Sequence, residues 1–179
     1  MSKPADRELI QKCQQGNILA QKELFDKSKN RLFSLCLRYS RDRSEAHDIL
    51  QEAFMAIFRD MGQFNGVGSF DGWMHKVTVR AALQYLRRKN PLRFAEEYDK
   101  QPSDAFVFSP DMDLNSEAIL KMVQQLPDGY RMVFNLHCLE AYSYAEIATE
   151  LGIAEASVRS QYARACKQLR SQLVDCLST

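Results

Sequence analysis

The chain has 179 residues, 45% of them hydrophobic and 26% charged, a globular composition long enough for one ordinary domain or two small ones. Seven Gly and five Pro are too few for a loop-rich all-β or collagen-like chain, and no apolar run approaches the roughly 18 residues a membrane span needs. The formal net charge of +1 argues at first against a nucleic-acid binder.

Taken by segment, that charge resolves into blocks. Residues 1–40 carry a net +4, 41–75 a net −3, 76–93 a net +6 and 94–128 a net −6. Residues 156–174 hold Arg159, Arg164, Lys167 and Arg170 with no acid. Two basic blocks separated by an acidic one suggest surfaces with different partners. The start, MSKPADRELI, lacks an apolar signal-peptide core, so a cytoplasmic protein without membrane insertion is expected. Cys13, Cys36, Cys138, Cys166 and Cys176 form no CxxC pair, and are expected to be reduced thiols in core positions rather than a disulfide framework or a metal site.

In chain order, Leu24, Phe25, Leu32, Cys36 and Tyr39 suit an amphipathic helix. The strongest helical period follows, with Ala46, Ile49, Leu50, Ala53, Phe54, Ile57, Phe58 and Met61 on one face. Asp42 with Glu45 three residues on gives its N-cap. Residues 64–70 (FNGVGSF) read as a loop. Ser69 then caps a helix over residues 70–89, with Val79, Ala82, Leu83 and Leu86 packed inward beside Trp73 and Val77, and Pro91 ends it.

Periodicity fails over residues 92–113, where Pro102 and Pro110 sit among six acids, and the stretch reads as a flexible acidic linker. Helical period resumes at Ile119, Leu120, Val123 and Leu126. Pro127, Asp128 and Gly129 mark a turn before a helix over residues 130–139. Strand patterning is absent, so the expected fold is all-α: two small helical domains joined by the linker.

The sharpest local pattern lies near the C-terminus. Ser143 and Glu146 form a capping box, Ile147, Ala148 and Leu151 keep helical spacing, and Gly152 suits a left-handed C-cap. A second helix starts near Glu155, and the pair forms a helix-turn-helix. On that second helix Val158, Tyr162, Ala165 and Leu169 face inward. Ala156, Ser160, Arg164 and Lys167 face outward, with Ser157 and Arg159 at the edges. Small residues and guanidinium groups on one face suit a helix entering a major groove, although a solvated basic face has the same composition.

Two further features stand out. Lys76, Arg80, Gln84, Arg87 and Arg88 form a stripe on the 70–89 helix that can track a phosphate backbone. Phe64, Phe70 and Trp73 beside it offer stacking surfaces for unpaired bases, or ordinary core. On the polar side of the 46–61 helix, Asp48 and Glu52 with Gln51 form an acidic patch suited to a basic protein partner, or a solvated face.

Residues 45–52 (EAHDILQE), 64–88 (FNGVGSFDGWMHKVTVRAALQYLRR) and 142–165 (YSYAEIATELGIAEASVRSQYARA) in this order resemble an extracytoplasmic-function (ECF) sigma factor of bacterial RNA polymerase. The resemblance covers most of the chain. It implies a region 2-like domain over residues 1–91, a linker over 92–114, and a region 4-like helix-turn-helix domain over 115–179. The first would bind RNA polymerase core and melt the −10 element; the second would read the −35 element as duplex. Asp48, Gln51 and Glu52 match the contact with the clamp of the largest core subunit. The loop over residues 64–70, with Phe64, Asn65 and Ser69, matches the segment that captures a flipped −10 base, and Trp73, Lys76, Arg80, Gln84, Arg87 and Arg88 beside it are expected to extend the −10 surface. Arg159, Ser160, Ala163 and Arg164 match positions that meet −35 DNA, and Ser157 and Lys167 on the same face are expected to join them.

The chain departs from the family pattern at four positions. Arg80 stands where Asn is frequent, Gln84 where Asp is, Ala154 where a Ser cap is, and Gln161 where an Arg is, the last removing one expected phosphate contact. The resemblance implies promoter DNA and RNA polymerase core as partners, an anti-sigma factor as a common further one, no cofactor, and no catalytic residue. A stand-alone helix-turn-helix regulator is the alternative, and it leaves the acidic patch, glycine loop and basic stripe unassigned. For an enzyme, His47, His75 and His137 are too scattered, and His137 beside Cys138 diverges from it on a helix.

Overall fold

The computed structural model of the protein describes residues 4–89 and 116–177. Every regular element among them is helical: α1 Pro4–Gln14, α2 Ile18–Tyr39, α3 Arg43–Asp60, a 3₁₀ turn Met61–Gln63, α4 Phe70–Lys89, α5 Ser116–Gln125, α6 Asp128–Phe134, a π turn Asn135–Leu139, α7 Tyr144–Leu151 and α8 Glu155–Leu177. By contacts the chain divides between Tyr85 and Leu86 into two units. The all-α expectation holds for these residues. The expected linker and the role of Pro91 lie outside the described residues.

In the first unit α2 packs against α3 and α1 against α2. Asn17 caps α2 by accepting from the Ala20 amide, and Asp42 caps α3 by accepting from the Glu45 amide. The Glu45 carboxylate turns back to the Arg41 amide (2.6 Å) and is itself buried. Leu32, Leu35, Cys36 and Tyr39 of α2 meet a core that includes Ala46, Ile49, Ala53 and Ile57 of α3 and Met74, Val79, Ala82 and Leu83 of α4. Each fully buried Leu or Ile of this set contributes roughly 1.5–3 kcal/mol over its exposed state.

Some expectations for this unit need correction. Phe25 is 36% exposed rather than core; its ring meets Phe54 at 4.6 Å. Trp73 and Val77 are only half-buried, and Met74 and Thr78 take the inward positions. Helix α1, with Leu9, Ile10 and Cys13 buried, has no counterpart in the sequence reading.

In the second unit α6, α7 and α5 all pack on α8. The segment read as a turn at residues 127–129 is instead the start of α6: Pro127 is its N-cap, and Asp128 is its first residue. The reason is a buried ion pair. Arg131 donates to the Asp128 carboxylate at 2.7 Å, with both side chains fully covered. Arg131 also donates to the carbonyls of Gln124 (3.0 Å) and Leu126 (2.8 Å), so one guanidinium closes the end of α5 and the start of α6. After Phe134 the expected helix continues as a π turn, and Ala141 then takes φ +58°. The widened turn brings the Tyr142 carbonyl to His137 Nδ1 at 2.8 Å.

The cysteine expectation holds at Cys13, Cys36 and Cys166, which are buried, and fails at Cys138, which is exposed as a residue. Its thiol is nonetheless partly covered and meets the Tyr162 hydroxyl at 3.2 Å. The side chain of Cys176 lies outside the described residues. Burial pushes the Cys36 thiol up to about 12, so it stays protonated and unreactive.

Candidate nucleic-acid interface

The helix-turn-helix is built by local hydrogen bonding. Ser143 Oγ accepts from the Glu146 amide (3.3 Å), and the Glu146 carboxylate accepts from the Ser143 amide (2.8 Å) and hydroxyl (2.7 Å). Those bonds hold the Glu146 carboxyl below its usual range, the Ser143 hydroxyl contributing most. At the other end of α7, Gly152 takes φ +67°, and the amides of Gly152 and Ile153 both donate to the Ala148 carbonyl. This is a Schellman-type stop that only a residue tolerant of positive φ makes cheaply.

On α8 the inward set is Val158, Gln161, Tyr162, Ala165, Cys166 and Leu169, all buried. The six −35 candidates occupy the remainder of the circumference, within an arc of roughly 160° at 100° per residue. Lys167 and Arg159 are exposed, and Ser157, Ser160, Ala163 and Arg164 are half-exposed. Arg159 lies over the Tyr144 ring (4.9 Å) and pairs with Glu155 at 2.5 Å. That pair is largely solvent-exposed and worth little. Arg164 donates to the Tyr130 hydroxyl at 3.2 Å, which fixes the direction of its guanidinium. Sequence reasoning missed Tyr130, because nothing in the spacing of residues 130 and 164 links them.

Behind this face stands an aromatic core. His137 stacks on Tyr144 (4.4 Å) and meets the edge of Tyr162 (4.8 Å). Burial, with the Cys138 contact, drives the Tyr162 phenol far above its ordinary value, so it remains a neutral packing group.

Gln161 is a correction. Expected at a phosphate-contact position, it is 5% exposed. Its carboxamide lies against Gly129 of α6, where an added Cβ would come within 2.7 Å of Gln161 Oε1. An Arg in that orientation would meet the α6 backbone rather than DNA.

In the first unit the loop between the 3₁₀ turn and α4 is open. Gly66 and Gly68 both have φ +80°, and Asn65 Oδ1 accepts from the Val67 amide at 3.1 Å. Val67, at the tip, is 79% exposed. Phe64, Phe70 and Trp73 cluster behind the loop, with ring centroids 5.0 to 5.9 Å apart. Phe70 is buried at the start of α4, the core alternative of the two readings, and offers no stacking face; Phe64 and Trp73 are half-exposed. Asn65 and Ser69 are exposed.

Along α4, Lys76, Arg80, Gln84 and Arg88 are exposed and Arg87 is half-buried. On α3, Asp48 and Gln51 are exposed and Glu52 is half-buried, and the Tyr85 hydroxyl of α4 donates to Asp48 at 3.2 Å. Among the described residues no group of three or more His, Cys, Asp or Glu side chains is placed to hold a metal ion, and no helix is long and apolar enough to cross a membrane.

These features define a helical protein of two units, one ending in a helix-turn-helix of the DNA-reading type and the other carrying an open loop beside a basic helix. Family models for sigma-70 region 2 and sigma-70 region 4 match residues 24–91 and 116–169, together more than half the chain. The chain is 30% identical to the ECF RNA polymerase sigma factor SigE of Mycolicibacterium smegmatis over 84% of its own length, and spans 60% of that relative. It is 29% identical to the RNA polymerase sigma-H factor of Pseudomonas aeruginosa, covering 92% of each chain. Its fold is similar to that of the sigma factor RpoE of Bartonella quintana, solved in complex with the anti-sigma factor NepR (TM-score 0.52, 17% identity, 85% of this chain and 95% of that one). The chain belongs to the sigma-70 family, in its extracytoplasmic-function group, and is a promoter-recognising sigma factor.

Proposed function

We propose that the protein joins RNA polymerase core and directs initiation through three separate faces. Asp48, Gln51 and Glu52 meet the clamp of the largest core subunit. The loop carrying Phe64, Asn65 and Ser69, with Trp73 and the stripe Lys76, Arg80, Gln84, Arg87 and Arg88, opens the −10 element. Ser157, Arg159, Ser160, Ala163, Arg164 and Lys167 read the −35 duplex. The observation that carries this reading is the co-occurrence of an open glycine loop, an acidic patch and a helix-turn-helix in one chain of this family.

The energetics are consistent. Extracting a base costs a few kcal/mol, and stacking on an aromatic ring returns about 1–3 kcal/mol. Arg80 and Gln84 add charge and hydrogen-bonding capacity along the opened strand. The polymerase supplies the chemistry, so the protein itself is not an enzyme, needs no cofactor and works in the cytoplasm. An anti-sigma factor, such as the fold relative from Bartonella quintana binds, is the further partner of this reading.

Charge reversal tests the polymerase face. Asp48→Lys with Glu52→Lys should weaken binding to purified core by at least about tenfold, the scale of a lost charge complementarity, in protein that thermal melting shows to be folded. Unchanged core binding by a folded variant would remove these residues from the interface.

A further inference from the structure

Helix α1 lies outside both spans matched by the family models, yet it walls the loop. A groove of about 700 Å³ is lined by Arg7, Ile10, Gln11 and Gln14 of α1 and, opposite them, by Phe64, Gly66, Gly68 and Ser69. Arg7, Gln11 and Gln14 recur at i, i+4 and i+7, so they share one face of the helix. That face is held towards the loop. The Gln14 carboxamide donates to the carbonyls of Met61 (3.0 Å) and Phe64 (3.4 Å), while Leu9, Ile10 and Cys13 are buried.

We infer that α1 is the second wall of the nucleotide-binding groove, and that Arg7 and Gln11 help to select the unpaired deoxynucleotide held there. The inference rests on the −10 reading of the loop and deepens it. The volume suits a small ligand rather than a helix or a duplex. Its two sides differ in chemistry as an extrahelical base requires: the ring of Phe64 on one, hydrogen-bonding side chains on the other. Gly66 and Gly68 carry no side chain into the groove, and an added Cβ at either would meet nothing within 4 Å, so the backbone there leaves room for the ligand. The Gln11 carboxamide offers donors and an acceptor to a base edge, and the Arg7 guanidinium offers a planar fork suited to guanine or phosphate. Gln14 is a positioning residue, since its amide is committed to the loop.

The test uses full-length protein with core polymerase on a promoter library randomised across the −10 element, behind a −35 sequence first selected with the wild-type protein. Transcripts are sequenced for wild type, Arg7→Ala, Gln11→Ala and the loop variant Asn65→Ala, each checked for its melting temperature. Arg7 and Gln11 are exposed, so their truncation should leave the fold intact. The expected result is a loss of about tenfold in preference for the wild-type base at one −10 position in at least one α1 variant, the scale of one lost base contact. An altered profile for Asn65→Ala together with wild-type profiles for both α1 variants would overturn the inference and leave the loop assignment standing. Wild-type −10 profiles for all three would overturn the loop assignment, and this inference with it.

Discussion

Single residues set the geometry of the second unit. Gly129 makes room by contact rather than by backbone conformation, because a Cβ added there would lie 2.7 Å from Gln161 Oε1. Because that oxygen is the far end of a flexible side chain, Gly129→Ala should cost at most about 1 kcal/mol, the low end of overpacking, as the carboxamide gives way. Gly129→Ala combined with Gln161→Ala should recover part of that loss, and urea unfolding of the three variants measures it. Equal losses in the single and double variants would show that the clash is not the cause. Arg131 and Asp128 work at the same scale: a buried guanidinium is tolerated because a carboxylate and two helix-end carbonyls surround it. Removing one partner of such a pair is strongly destabilising, since it strands the other charge.

Elements follow from their ends. Helix α7 is only eight residues long, too short to persist on propensity alone, and the capping box and the Gly152 stop define it. The Glu146 carboxyl has a folded-state pKa below its ordinary 4.5. Its stabilising contribution is complete above that value and is lost as pH falls through the lower folded value. The gap in melting temperature between the wild-type protein and Glu146→Ala should thus be constant near neutrality and should close in acid. A gap that stays constant down to pH 3 would contradict the assignment.

Such ends were legible in sequence because a capping box and a C-cap glycine are written within a few residues. The period of α3 was legible for a related reason, as its buried face repeats over several turns. Long-range relations were not. Gln161 read as a surface position because its neighbour Gly129 lies 32 residues earlier in the chain, and the start of α6 read as a turn because the Asp128–Arg131 pair shows only once both are buried. Helix α1 escaped notice since three buried residues in a short polar segment make a weak period. With it went the wall of the groove that now involves Arg7 and Gln11. The −10 and −35 residues came from matching motif positions; their placement on exposed arcs is what the fold adds.

At the scale of the whole molecule, the near-neutral charge is a sum over surfaces with opposite signs. The outer arc of α8 and the stripe on α4 are basic and the patch on α3 is acidic; in the proposed account the basic surfaces serve promoter DNA and the acidic patch serves RNA polymerase core. A protein built this way should act through the polymerase rather than alone. The most direct measurement is transcription from a library of random promoter sequences by purified core, with and without the protein, read out as sequenced start sites. The account predicts new start sites that appear only with the protein and share two conserved elements at a fixed spacing, near −35 and −10. No new start sites and no binding to core, together with tight binding of duplex DNA by the protein alone, would contradict it and point to a stand-alone regulator.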